Sequence, residues 1–149
     1  MANLLKRCLI MKTKFQCRVI SKGMAEGEAL VSSQPIGFNF CVDVNTGIYT
    51  ERNHELEHVS IKGKVLVFPH GKGSTGGSYV VYQLGKNKTG PAAIINVLTE
   101  PIIAVGAIMS EIPVVDSLEE DPFKVIESGD YVKVDAINGF VEVDKRNRS

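Results

Sequence analysis

The sequence lacks any excess of charge: 17 Lys and Arg stand against 17 Asp and Glu in 149 residues, so the formal charge is zero. With no net field to hold a polyanion, nucleic acid is not an expected partner. A long apolar run is also missing. The opening MANLLKRCLI is too short to cross a bilayer, and no small-residue cleavage site follows it, so neither a membrane span nor a signal peptide is expected. Cysteine is scarce: Cys8, Cys17 and Cys41 are odd in number and include no Cys-x-x-Cys pair, which suits a reduced cytoplasm better than a disulfide framework. Cys17 and Cys41 lie in apolar runs, where a free thiol behaves as a small core hydrophobe. Three scattered cysteines do not supply the thiolate set that an iron–sulfur cluster usually takes.

The length fits one domain rather than two, and the 44% hydrophobic and 23% charged content is that of an ordinary globular chain. Lys6 with Arg7, and Lys145 with Arg146 and Arg148, read as solvated basic ends. The expected organisation is an extension over 1–14, a domain over 15–144 and a basic tail over 145–149. Met11 precedes the first strand-like pattern and is the expected natural start of translation.

Residues 15–21 and 27–33 read as short strands able to pair as a hairpin around Lys22-Gly23, ended by the Ser-Ser-Gln-Pro break at 32–35. Residues 43–47 (DVNTG) have turn chemistry. KVLVF at 64–68 is a continuous apolar run, the pattern of a strand buried on both faces, and Pro69 ends its ladder. A helix is predicted over 78–84, with Ser78 as N-cap and Gly85 as stop. AAIINV at 92–97 predicts a second buried strand, 102–110 a small-residue helix and 113–115 a third strand. The order β-α-β-α-β implies an α/β fold with a small parallel sheet and ligands at the carboxyl ends of its strands. At the far end, 131–136 and 140–143 alternate with period two around Asn138-Gly139, a hairpin signal.

HGKGSTGGS at 70–78 stands between the buried strand and the helix start. Its glycines at 71, 73, 76 and 77 allow a sharp turn that points N–H groups into one concavity, where the helix dipole favours an anion. It is not a nucleotide P-loop: Leu66 occupies the place of the first Walker glycine, and Gly73 follows the lysine. His54-Glu55-Leu56-Glu57-His58 satisfies His-Glu-x-x-His letter for letter, but no apolar helical face surrounds it and Gly63 follows closely; a polar loop or short capped turn is expected. His70 is a candidate acid, phosphate ligand or phosphoryl acceptor, against the commoner role of a solvent-facing hydrogen-bonder. Asp116, Glu119, Glu120 and Asp121 read as a solvated acidic loop.

VLVFPHGKGSTGGSYVVYQL, GPAAIINVLTEPIIAVGAIMSEIPVVD and ESGDYVKVDAINGFVEV together resemble the swivel domain of the aconitase X family, as do SSQPIGFNF, Asp43 with Thr46-Gly47, and His54 with Leu56. The likeness spans 15–143. It departs at Phe40-Cys41-Val42, where the family tends to have a Trp-Gly-Gly-like stretch. The resemblance implies a swivelling three-layered β/β/α domain, its parallel sheet flanked by antiparallel strands from both ends of the chain. It also implies a hydro-lyase active only with a large subunit that carries an iron–sulfur cluster. By that resemblance Ser74 is the proton-abstracting residue, with Lys72, Gly73, Thr75, Gly76, Gly77 and Ser78 binding a small carboxylate or phosphorylated hydroxy acid, and this chain holding no metal. The GKGST form resembles archaeal enzymes that dehydrate (R)-5-phosphomevalonate more than bacterial cis-3-hydroxy-L-proline dehydratase. A non-enzymatic anion-binding or phosphohistidine module built on His70 is the alternative of another class. Deleting residues 1–10 is expected to leave melting temperature and partner binding unchanged, which thermal denaturation and co-purification check.

Overall fold

The computed structural model describes residues 12–145; the expectations placed on Lys6, Arg7, Cys8, Met11, Arg146 and Arg148 lie outside the described residues. Along the chain stand β1 (Lys12–Gln16), β2 (Arg18–Ser21), β3 (Met24–Val31), β4 (Ile36–Gly37), β5 (Val65–Phe68) and β6 (Gly71–Lys72). Then come α1 (Gly76–Asn87), β7 (Ala93–Asn96), α2 (Pro101–Ser110), β8 (Val114–Asp116), α3 (Pro122–Val125), β9 (Tyr131–Asp135) and β10 (Phe140–Asp144). The eight-stranded sheet has the order β1-β10-β9-β3-β5-β7-β8-β2. β3, β5, β7 and β8 run parallel at its centre, and antiparallel strands from both chain ends flank them. The β-α-β-α-β order and the β9–β10 hairpin are thus as the patterning predicts.

Successive side chains of a strand point to opposite faces, and β5 shows what that does here. Leu66 and Phe68 join Ile94, Val114, Val81, Leu84, Ile103 and Ala107 in a core between the sheet and the helices. Val65 and Val67 join Ala93, Ile95, Val132, Val134, Val141 and Phe15 in a second core, closed by the antiparallel arm. The layers are therefore arm, parallel sheet and helices. All four residues of β5 are fully buried, each contributing ~1.5–3 kcal/mol of apolar transfer, so the strand end that precedes the glycine run is firmly placed.

Three local readings are corrected. The first two strand runs do not form a hairpin: β1 pairs with β10, β2 with β8, and β3 with β9 and β5. The reason lies in the links, because the Cys17 N–H donates to the Gly139 carbonyl and the Gly23 carbonyl accepts from Ala136. Ser78 does not cap a helix, since α1 already begins at Gly76 and Ser78 Oγ donates to the Ile102 carbonyl at 2.7 Å. Gly85 does not stop α1 either. A side chain there would collide with Ser110 of α2, and a Cβ on Gly106 would lie 2.7 Å from the Ser78 carbonyl oxygen, so both glycines serve close helix packing. The helix ends instead at Lys88, in the left-handed conformation.

The acidic loop also departs from its reading at Asp116, which is fully buried at the end of β8. Arg18 donates to both its oxygens at 2.8 Å, and the Thr99 N–H donates at 2.7 Å. Of the others, Glu119 accepts from the Gln16 N–H and Asp121 caps α3 through Phe123.

Burial alone would raise the Asp116 pKa, but the Arg18 and Thr99 hydrogen bonds outweigh it and hold the carboxyl below its ordinary range. A carboxylate depressed on folding contributes stability above its unfolded pKa of ~3.9 and loses it as pH falls through the lower folded value. Asp116→Asn is therefore expected to lower the melting temperature at neutral pH by an amount that shrinks in acid. Thermal denaturation as a function of pH measures this; a gap independent of pH would count against the pairing.

Candidate active site

β5 delivers the chain to Pro69 and His70, after which β6 pairs in parallel with β4. A side chain at Gly71 would collide with the Glu100 carboxylate, whose oxygens accept the Ile102 and Ile103 N–H groups at 2.9 Å and so cap α2. Gly73 turns the chain with φ +96°, a conformation that favours glycine. Ser74 follows, exposed, at the entry to α1.

The Asn39 side-chain N–H donates to Ser74 Oγ at 2.7 Å. At the start of α1, the Gly77 and Ser78 N–H groups donate back to the Ser74 and Thr75 carbonyls. Among the described residues the Thr75 and Gly76 N–H groups have no such acceptor, so the donors and positive dipole end face outward beside Ser74.

The structure brings Lys72, Gly73, Ser74, Thr75 and Gly76 to one turn but places the other expected ligands differently. Gly77 is buried, and the Ser78 hydroxyl is spent on Ile102. Lys72 Nζ lies 2.8 and 3.1 Å from the two Glu51 carboxylate oxygens. Beside the turn a hollow of about 360 Å³ is lined by Thr75, Ser78, Tyr79, Tyr82 and Met109.

Asn39, Glu51 and Glu100 are site residues that sequence reasoning missed. Glu100-Pro101 had a legible signal, an acceptor side chain before a proline at the first helical position. Asn39 offered only a polar residue between Phe38 and Phe40, one buried and the other 93% exposed.

Cys41 lies beside this group, its Sγ 3.3 Å from the Asn39 carbonyl and 3.8 Å from Glu51. Burial first, and then the Glu51 charge, push its pKa up. Tyr49 anchors the same loop, donating to the Gly37 carbonyl at 2.9 Å and accepting its N–H at 3.2 Å.

His54-Glu55-x-x-His58 forms turns, as expected. His54 is buried and uses both ring nitrogens: Nε2 faces the Pro35 carbonyl at 3.0 Å, and Nδ1 accepts the Leu56 N–H at 3.0 Å. Glu55 accepts from the Ser32 hydroxyl and the Ser33 and Gln34 N–H groups, the Ser32 bond chief among those that lower its pKa. His70 is exposed, with Nδ1 2.8 Å from the Gly71 carbonyl.

Among the described residues no three His, Cys, Asp or Glu are grouped to hold a metal. The free cysteines among the described residues are Cys17 and Cys41, two thiols against the four that an iron–sulfur cluster usually takes, and burial pushes the Cys17 pKa up to about 11. These residues do not fit an iron–sulfur cluster. No helix among the described residues is long and apolar enough to cross a membrane.

The family model of the aconitase X swivel domain matches residues 14–143. The chain is 60% identical over 133 residues to the phosphomevalonate dehydratase small subunit of Methanosarcina mazei, covering 89% of this chain and 92% of that one. It is 52% identical over 130 residues to the protein of the same name from Archaeoglobus fulgidus, covering 87% and 98%. The crystal structure of Thermococcus kodakaraensis aconitase X in its holo-form superposes with a TM-score of 0.82 at 47% identity, covering 88% of this chain and 98% of that one.

Because the Glu51 charge helps to suppress the Cys41 thiolate, Glu51→Gln is expected to accelerate alkylation of Cys41 at mildly alkaline pH. Peptide mass mapping after timed labelling reads the rate, and an unchanged rate would show that Glu51 does not control the thiol.

Proposed function

The chain belongs to the aconitase X swivel-domain family, and from that premise we propose that it is the small subunit of a phosphomevalonate dehydratase. The reaction removes water from (R)-5-phosphomevalonate to give trans-anhydromevalonate 5-phosphate. The observation that carries this reading is the identity of 60% and 52% to relatives of that name across nearly the whole chain. Those names side against a cis-3-hydroxy-L-proline dehydratase. The same names carry the reading away from a phosphohistidine carrier built on His70.

In this reading Ser74 is the base. Its Oγ, as alkoxide, takes the proton from the carbon next to the substrate carboxylate. The C–H electron pair becomes the new π bond as the hydroxyl leaves the adjacent carbon. The proton gained by Ser74 returns to solvent, so the net loss is one water. A serine hydroxyl is a weak base, and what makes it usable is stabilisation of the oxyanion by aimed donors and the α1 dipole. The Thr75 hydroxyl and the Thr75 and Gly76 N–H groups are left for the substrate's anionic groups, and Lys72 reaches its phosphate by exchanging Glu51 for it.

The name of the relatives implies a large subunit, and we assign to it the iron–sulfur cluster that this chain's described residues do not fit. Free thiols at Cys17 and Cys41 suit the cytoplasm, to which we assign the complex.

With the large subunit present, Ser74→Ala is expected to lower turnover of (R)-5-phosphomevalonate by about 10²- to 10⁴-fold, the usual contribution of a general base, while the pair still co-elutes on size-exclusion. Activity within about tenfold of wild type would remove Ser74 from that role.

A further inference from the structure

Asn39, a half-buried loop residue, is held in place from several sides. Phe38 before it is buried against Phe68, with ring centroids 6.4 Å apart. The Cys41 N–H closes a turn onto the Phe38 carbonyl at 3.1 Å, and Phe40 within that turn takes a left-handed φ of 62°. A bulky non-glycine residue adopts that conformation at a cost. The Cys41 thiol lies 3.3 Å from Asn39's own carbonyl. From this support the carboxamide reaches across the entry to α1, to 2.7 Å from Ser74 Oγ.

The helix is shaped to receive it. A Cβ on Gly76 would stand 2.8 Å from Asn39 Nδ2 and 3.0 Å from its Cγ, closer than real side-chain contacts allow. Glycine at 76 leaves the room that the carboxamide occupies.

We propose that Asn39 is the positioning residue for Ser74: its side-chain N–H holds Oγ at the mouth of α1 and goes on donating when that oxygen carries the negative charge. The inference rests on the reading of Ser74 as base. A neutral amide suits the task, because it stabilises an oxyanion without competing for the abstracted proton. When Ser74 gains the proton, its hydroxyl oxygen still accepts from Asn39, so the group stays in place through the step. Lys72 does not serve in this way, because its ammonium is engaged by Glu51.

The test uses the complex with the large subunit and (R)-5-phosphomevalonate, reading kcat, KM and the pH dependence of kcat for Asn39→Ala, Asn39→Asp, Gly76→Ala and Ser74→Ala. Loss of one aimed donor to an oxyanion typically costs about 10²- to 10³-fold in kcat, and that fall is expected for Asn39→Ala, with KM little changed. The rising limb of its pH profile should move to higher pH, because the serine is then harder to deprotonate. Asn39→Asp should fall further at neutral pH, since a carboxylate opposes a second anion. Gly76→Ala should show the same shifted limb without a fall in melting temperature, alanine being the better helix former. An Asn39→Ala enzyme with unchanged kcat, or with lower kcat but an unmoved limb, would overturn the inference. If Ser74→Ala is inactive while the Asn39 variants match wild type, Asn39 alone is misassigned. If Ser74→Ala turns over normally, the base assignment falls and the role of Asn39 with it.

Discussion

The burial of β5 on both faces is the constraint from which the rest of the site follows. Val65 and Val67 pack into one core and Leu66 and Phe68 into the other, so the strand has no free face along which to shift. Its end is tied as well, because the Pro69 carbonyl accepts the N–H groups of Val97 and Leu98. A glycine-rich turn is intrinsically floppy, yet here it starts from a fixed point and ends in a helix packed on the same core. Precision at Ser74 thus comes from apolar burial beneath the turn, not from the turn's own residues.

What was legible in the sequence is what depends on neighbours in sequence. The apolar runs of β5 and β7, and the period-two alternation around Asn138-Gly139, report local burial directly, and those elements formed where expected. Gly85 and Ser78 were misread because their reasons lie on another helix: Ser110 needs the space at 85, and Ile102 offers the acceptor for 78. The same holds for the site. Asn39 meets Ser74 across 35 positions and Glu51 meets Lys72 across 21, and a pattern confined to one segment cannot reveal such pairs. Asp116 looked like part of a charged loop because its partner Arg18 stands 98 positions away.

The His-Glu-x-x-His match shows the converse. Its letters suit a metal site, but their chemistry is consumed in holding the chain between β4 and β5. His54 ties the Pro35 carbonyl and the Leu56 N–H, and Glu55 gathers the Ser32, Ser33 and Gln34 donors. Hydrogen-bonding capacity already spent inside a fold is not available to a ligand. The same accounting finds the Ser78 hydroxyl proton already given to the Ile102 carbonyl, whereas the Thr75 side chain makes no cap bond to α1.

The glycine contacts between α1 and α2, together with the Ser78 bond to Ile102, weld the two helices into one block. A serine mounted on such a block cannot be re-aimed by small helix movements. In the complex proposed with a large subunit, any movement of Ser74 relative to that partner therefore becomes a matter of overall translation and rotation, and the entropy surrendered at that moment belongs to a whole body rather than to a loop.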